Sequence, residues 1–212
     1  MPAKPLHFVF DFGRVLFDWQ PEALLQRVLP GRVTDAAQAA HWVAQVFQSY
    51  GGDWGEFDRG TVEVADLVRR ISQRTGLAPQ EVQAVVSAVP ASLTPIAASV
   101  ALLRQLQRPG RPMFYLSNMP APYADHLERE HAFVRGFADG VFSARVQLIK
   151  PEPAIFALSA QRFGVAPAEL VFLDDHPANV AAAQAAGWQA LLFSDATQAE
   201  ADLRQRGWWP AD

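Results

Sequence analysis

Four groups of polar residues in this chain have types and positions that suit chemistry at one shared site. Three of them follow short apolar runs that are typical of buried strands, and the fourth is a single lysine. The groups are Asp11, Ser117-Asn118, Lys150 and Asp174-Asp175. A carboxylate at the end of a buried strand is costly to desolvate unless another group compensates its charge, so these side chains are candidates for one shared site.

The residue types of these groups indicate a particular chemistry. Asp11 and one of the Asp174-Asp175 pair can jointly bind a hard cation such as Mg²⁺, which prefers oxygen ligands. Crowded carboxylates repel one another, and a divalent ion together with the Lys150 ammonium offsets that repulsion. Ser117, Asn118 and backbone N–H groups at the start of the next helix can bind phosphate oxygens. This combination predicts nucleophilic attack on phosphorus through an aspartyl-phosphate intermediate.

The order of the predicted elements places these residues at one edge of a sheet. After about residue 95, strand patterns alternate with helical patterns, which predicts an α/β fold with a Rossmann-like, doubly wound parallel sheet. The carboxyl ends of parallel strands lie at the same edge, so polar residues that are far apart in sequence converge there.

The stretch between Trp19 and Pro95 has helical patterns and no strand pattern. It predicts four short helices, with Thr34 as the N-cap of the second and the segment GGDWGEFDRG as a loop after it. We therefore predict an inserted all-helical cap domain at residues 20–91, and a Rossmann-like core formed by residues 1–19 and 92–212.

Composition narrows the possible partners. The net charge is −4, from 18 basic and 22 acidic residues, which gives no basic footprint for nucleic acid, and no dense Lys/Arg run suits a membrane surface. The absence of cysteine excludes disulfides and thiol nucleophiles. The N-terminal apolar run is brief and is interrupted by Asp11, so it is a poor secretory signal. We expect a cytoplasmic monomer or homodimer that acts on a small molecule.

The ordered set of motifs resembles the haloacid dehalogenase superfamily over nearly the whole chain. The resemblance includes the helical cap inserted after the first motif. The segments FDFGRV, EFDRG, YLSN, IKPEPAIF and VFLDDHPANVAAAQAAG most resemble the branch of bacterial sugar-1-phosphate phosphatases, including the α-glucose-1-phosphatase type. This resemblance implies a Mg²⁺-dependent phosphatase that acts on a small phosphorylated metabolite.

The resemblance also implies a role for each motif residue. Asp11 is expected to be the nucleophile and a Mg²⁺ ligand, with the Gly13 backbone carbonyl as a second ligand. Asp175 is expected to bind Mg²⁺ directly, while Asp174 acts through water or holds Lys150. The remaining roles are phosphate binding by Ser117, Asn118 and Lys150, and support of the metal loop by Asn179.

Gly13 departs from the pattern of most phosphatases in this superfamily, which carry a second Asp at that position as the general acid-base. The glucose-1-phosphatase branch also resembles this chain in having Gly there. An anomeric or anhydride leaving group is less basic than a simple alkoxide and needs less protonation, so we hypothesise that such substrates are favoured. His176 could substitute as acid or base, or be a loop histidine. Asp18 could reach the site, or cap a helix.

Two other functions remain open from the sequence. A 2-haloacid dehalogenase would use Asp11 on carbon without a metal, although adjacent acids at the third strand end argue against a metal-free site. A non-catalytic ligand-binding protein on the same fold is the second alternative, because Gly13 removes the expected acid. The Gly-flanked loop with Trp54, Glu56, Asp58 and Arg59 could face the cleft and contact the substrate, or be purely structural.

Overall fold

A five-stranded parallel sheet lies at the centre of the computed structural model, which describes residues 6–210. The predicted α/β, Rossmann-like fold class is confirmed. The strands are β1 (His7–Phe10), β4 (Phe114–Ser117), β5 (Asp139–Phe142), β6 (Leu170–Asp174) and β7 (Gln189–Leu192), and a separate antiparallel pair consists of β2 (Phe17–Asp18) and β3 (Thr94–Pro95).

The order of the sheet is β5-β4-β1-β6-β7, and all neighbouring strands are parallel. From β1 the chain winds outward through β4 and β5, then returns to the other side of β1 for β6 and β7. The winding direction therefore reverses between β1 and β6. In open α/β sheets ligands bind at such a switch point, outside the carboxyl ends of the strands.

Eleven α-helices complete the described part of the chain. Five lie between β2 and β3: α1 (Pro21–Val28), α2 (Ala36–Phe47), α3 (Gly52–Arg59), α4 (Val64–Thr75) and α5 (Pro79–Ser92). Six accompany the sheet: α6 (Ala97–Leu106), α7 (Ala121–Glu130), α8 (Ser143–Val146), α9 (Pro153–Phe163), α10 (Pro177–Ala185) and α11 (Ala196–Gln205). Within residues 6–210, none of these helices is both long and apolar enough to cross a membrane.

The sheet is buried on both faces because its strands carry apolar residues at successive positions. In β1, Phe8 and Phe10 pack in one apolar core, which continues into the inserted helices, while Val9 packs in a second core with Phe156 and Phe172. The alternation follows from the two-residue period of a strand. Packing of β1 in both cores fixes the position of its last residue, and therefore of Asp11, which follows it.

Three details of the predicted insertion are wrong. The segment predicted as a loop forms α3, because Trp54 and Phe57 are three residues apart and pack together on its buried face, so the insertion has five helices instead of four. The N-cap of α2 is Asp35, whose Oδ1 accepts a hydrogen bond from the Gln38 N–H at 2.8 Å, and not Thr34.

The insertion leaves and rejoins the sheet region through the antiparallel pair β2–β3, in which Asp18 lies opposite Thr94. Tyr123 on α7 fastens it further by donating a hydrogen bond to the Val86 carbonyl on α5 at 2.8 Å. The division into a core and a cap at residues 20–91 stays our proposal. Residues 1–5 and 211–212 of the proposed core, and the start of the N-terminal segment judged a poor secretory signal, lie outside the described residues.

Candidate active site

Asp11, Lys150 and Asp174 meet at the switch point of the sheet. Asp11 directly follows β1, and Asp174 is the last residue of the neighbouring strand β6. Lys150 Nζ lies 2.9 Å from Asp11 Oδ1 and 2.6 Å from Asp174 Oδ2. All three side chains are buried, so the ammonium and the two carboxylates interact in a region of low dielectric constant.

The two carboxylate oxygens of Asp11 have different surroundings. Oδ1 accepts hydrogen bonds from the Phe12 backbone N–H at 2.7 Å and from Lys150, whereas Oδ2 accepts none from any residue in 6–210. Burial raises the pKa of Asp11 to about 7, with Lys150 opposing the shift and the charge of Asp174 adding to it. Oδ2 is therefore the oxygen that is available to an electrophile or a cation.

Asp174 is fully buried, and its carboxylate accepts hydrogen bonds from three neighbouring residues. Besides Lys150, its carboxylate accepts hydrogen bonds from the Asn179 amide at 3.0 and 3.1 Å and from the His176 backbone N–H at 2.8 Å. These contacts fix the loop between β6 and α10. Asp175, next in sequence, is less buried and faces Arg14 Nε at 3.8 Å.

The acidic side chains fit a divalent cation. One carboxylate oxygen from each of Asp11, Asp174 and Asp175 lies within 4.8 Å of the others. Burial and the charge of Asp174 raise the pKa of Asp175. Burial lowers the pKa of Lys150, but the charges of Asp11 and Asp174 outweigh this and keep it above its usual value. One ammonium does not neutralise three carboxylates, and oxygen donors are what Mg²⁺ binds.

Ser117 is the last residue of the neighbouring strand β4, Asn118 follows it, and both line one cavity with Asp11 and Lys150. The Asn118 amide donates to the Lys150 carbonyl at 3.0 Å, and its oxygen accepts from the Lys150 N–H at 2.8 Å. The Asn118 side chain therefore holds the segment that carries Lys150. Phosphate binding by Ser117, Asn118 and Lys150 stays a prediction.

A cavity of about 370 Å³ lies between these strand ends and the inserted helices. Gly13, Arg14 and His176 border it on the sheet side, whereas Asp18 bonds to Gln20 and does not line it. Across the cavity its wall is mostly apolar. The apolar and aromatic side chains that line the cavity include Trp19, Trp54, Val89, Leu93, Met119 and Tyr123.

Of the four residues of the Gly-flanked segment that could either face the cleft or be purely structural, only Trp54 and Asp58 line the cavity. Glu56 instead accepts a hydrogen bond from Thr61, and Arg59 forms a two-bond ion pair with Glu152 at 2.5 and 2.9 Å. Helical periodicity separates them, since positions 54 and 58 lie one turn apart on the same face. Because the segment was predicted to be a loop, the helical spacing of Trp54 and Asp58 was not recognised.

Comparison with known proteins identifies relatives over most of the chain. The profile of the haloacid dehalogenase-like hydrolases matches residues 7–187. The sesquiterpene phosphatase astK of Aspergillus oryzae is 28% identical over 198 residues, which are 93% of this chain and 94% of that protein. Hexitol phosphatase A of Escherichia coli is 34% identical over 104 residues, which are 48% of this chain and 47% of that protein.

A crystal structure of a HAD family enzyme from Bacteroides thetaiotaomicron, in complex with magnesium and inorganic phosphate, has a similar fold. Its TM-score is 0.69 at 20% sequence identity, and the match covers 89% of this chain and 93% of that one. At this identity the likeness concerns the fold alone.

Proposed function

Because this chain belongs to the haloacid dehalogenase-like hydrolases, as its sequence motifs predicted, we propose that it is a Mg²⁺-dependent phosphatase of small phosphorylated metabolites. The observation that supports this most directly is the cluster of three carboxylates, two of which contact the Lys150 ammonium, beside a cavity that Asp11, Lys150 and Asp175 line. The similarity of this chain to a sesquiterpene phosphatase over 93% of its length supports the same reaction class.

In the proposed reaction, Asp11 is the nucleophile. Its free Oδ2 attacks phosphorus, the bond between phosphorus and the ester oxygen breaks, and the alcohol leaves. Water then attacks the aspartyl phosphate and releases inorganic phosphate, which regenerates the Asp11 carboxylate. Lys150, Ser117 and Asn118 are proposed to position the phosphoryl group, whose oxygens carry the charge that the Lys150 ammonium stabilises.

We propose that Asp11, the Gly13 backbone carbonyl and Asp175 hold the Mg²⁺. Bound Mg²⁺ supplies charge stabilisation to the phosphoryl oxygens. Asp174 contributes by orienting Lys150, since both of its oxygens already accept hydrogen bonds from Lys150, Asn179 and His176. The proposed cytoplasmic location follows from the sequence alone.

Two substrate classes are supported by different observations. A sugar 1-phosphate is consistent with Gly13, whose lack of an acidic side chain favours a leaving group of low basicity if no other residue supplies the acid. The phosphate ester of an apolar alcohol is consistent with the apolar wall of the cavity and with the similarity to a sesquiterpene phosphatase. Rates with glucose 1-phosphate, glucose 6-phosphate and an isoprenyl monophosphate separate these classes. A preference for glucose 6-phosphate contradicts both.

The function is tested by measuring phosphate release from p-nitrophenyl phosphate with and without Mg²⁺. We expect Asp11→Asn to abolish turnover and Asp18→Asn to retain it, because Asp18 is the same residue type but lies outside the cavity. Turnover by Asp11→Asn would contradict the proposed nucleophile. Metal-independent release of halide from a 2-haloacid would instead support the dehalogenase alternative, and absence of both activities would support a non-catalytic ligand-binding protein.

A further inference from the structure

Asp58 is a buried carboxylate that has no partner in the described chain. It is 5% exposed, and apart from the Asp11–Lys150–Asp174 group it is the only buried carboxylate within residues 6–210. Its side chain forms no hydrogen bond and no ion pair with any of those residues. Burying a charge without a partner is costly, so a carboxyl group in this position calls for a functional explanation.

The structure holds Asp58 firmly at the cavity wall. The Ser143 hydroxyl donates to the Asp58 backbone carbonyl and accepts from the Met119 N–H at 2.8 Å, which joins α3 to the end of β4. The ion pair between Arg59 and Glu152 ties the next residue to the Lys150 segment. The end of α3 is thus fixed against the sheet region, and Asp58 lines the same cavity as Asp11.

Asp58 lies on α3, one of the inserted helices that line the cavity opposite the strand ends. In an in-line displacement at phosphorus, the leaving oxygen departs on the side away from the attacking Asp11 oxygen. That side of the cavity is formed by the inserted helices, including α3. The position two residues after Asp11, from which an acidic side chain could also act, is occupied by Gly13.

We propose that Asp58 donates the proton to the leaving-group oxygen and thereby supplies from α3 the acid that Gly13 cannot. This inference rests on the proposed phosphatase function. In the first step the Asp58 proton moves to the ester oxygen as its bond to phosphorus breaks, so a neutral alcohol leaves. In the second step the attacking water releases its proton to the solvent, from which the Asp58 carboxylate regains a proton, and the starting state is restored.

The protonation state of Asp58 agrees with this role. Burial raises the pKa of Asp58 to about 8, and the positive charge of Lys150 opposes the shift. The other titratable groups that interact with it from neighbouring elements are the hydroxyls of Tyr50 and Tyr123, and burial raises the pKa of both. A neutral carboxyl at pH 7 is also easier to place beside a phosphate than a carboxylate is.

The test compares two substrates that differ in leaving-group basicity. An alkoxide leaving from hexyl phosphate needs a proton, whereas the nitrophenolate leaving from p-nitrophenyl phosphate does not. We expect Asp58→Asn to lower kcat for hexyl phosphate by about 100- to 10,000-fold. We expect kcat for p-nitrophenyl phosphate to change less than tenfold. With hexyl phosphate, the wild-type rate should fall as pH rises above the pKa of Asp58, and Asp58→Asn should not show this fall. An equal loss with both substrates overturns the proposal, because damaged structure affects both.

Gly13→Asp provides a second test that does not depend on Asp58→Asn folding correctly. A Cβ at Gly13 meets nothing within 4 Å, so a side chain can start from this position without a clash. If Asp58 already donates the proton, Gly13→Asp raises hexyl phosphate turnover in the wild-type chain only a few-fold and rescues Asp58→Asn. A 100-fold acceleration in the wild-type chain would show that the acid is missing, and would overturn the proposal.

His176 is the alternative proton donor that the test must distinguish from Asp58, since it also lines the cavity. Selective loss of hexyl phosphate turnover in His176→Asn, with Asp58→Asn unaffected, assigns the acid to His176 and refutes the role of Asp58. If Asp11→Asn keeps its activity, the phosphatase mechanism itself fails. If Asp11→Asn is inactive while Asp58→Asn matches the wild type on both substrates, only the role of Asp58 fails.

Discussion

Removal of the buried ammonium with Lys150→Met tests the electrostatic reasoning about the site. Lys150 Nζ contacts Asp11 and Asp174 at 2.9 and 2.6 Å, and Lys150 is only 3% exposed. The substitution keeps most of the side-chain volume but leaves two buried carboxylates without their cation. Loss of one partner from a buried ion pair typically lowers the free energy of unfolding by about 3–5 kcal/mol. We expect a loss in that range at pH 8 without Mg²⁺.

The measurement is urea denaturation followed by tryptophan fluorescence, with Arg162→Met as the matched control. Arg162 contacts Asp139 through two hydrogen bonds of 2.7 and 2.8 Å, but this pair lies at the surface. Exposed pairs contribute about 0–1 kcal/mol. A loss for Lys150→Met that is no larger than the loss for Arg162→Met would show that Lys150 does not neutralise the carboxylate group, and would refute this account.

Three further predictions concern other parts of the structure. Asp58 holds its proton to about pH 8 when folded but releases it near pH 4 when unfolded, so it lowers stability as pH rises through this window. The free energy of unfolding of Asp58→Asn should therefore rise, relative to that of the wild type, by up to about 1.4 kcal/mol per pH unit between pH 5 and 8. A difference between the two proteins that does not change with pH in urea titrations would argue against the raised pKa of Asp58. Gly60→Ala should lower the free energy of unfolding by about 2 kcal/mol or more, because φ is +80° and the added Cβ would collide with the Ala144 backbone. Gly76→Ala, with φ +75° and open space around the added Cβ, should lower it by only about 1 kcal/mol. Equal losses of stability in thermal melts would contradict the collision. Mg²⁺ at about 100 times its Kd should stabilise the wild type by about 2.7 kcal/mol, and this gain should be largely absent in Asp175→Asn; an equal gain in both would remove Asp175 from the proposed ligands.

The sequence predicted the sheet side of the site better than the helical side. Asp11, Ser117 and Asp174 each follow a short apolar run, and parallel strands bring such ends together, so their convergence could be inferred from pattern alone. Lys150 was also recognisable, because it lies in the segment IKPEP between the second and third of these strand ends.

The helical side could not be predicted because packing decides it. The glycines around Trp54 and Asp58 indicate a loop locally, but burial of Trp54 and Phe57 stabilises a helix that presents Asp58 to the cavity. The use of the Asn118 amide to hold the Lys150 backbone depends on a contact across 32 positions of sequence. Neither interaction leaves a periodic signal in the chain.

The antiparallel pair β2–β3 has a consequence for how this protein could change over evolution. Asp18 and Thr94 lie opposite each other, so the whole segment between them starts and ends at adjacent points of the sheet region. Neighbouring strands are separated by only about 5 Å, a distance that a tight turn also spans. A segment of another length could therefore start and end at the same two points of the chain, provided that it also covers the apolar face that β1 shares with the inserted helices.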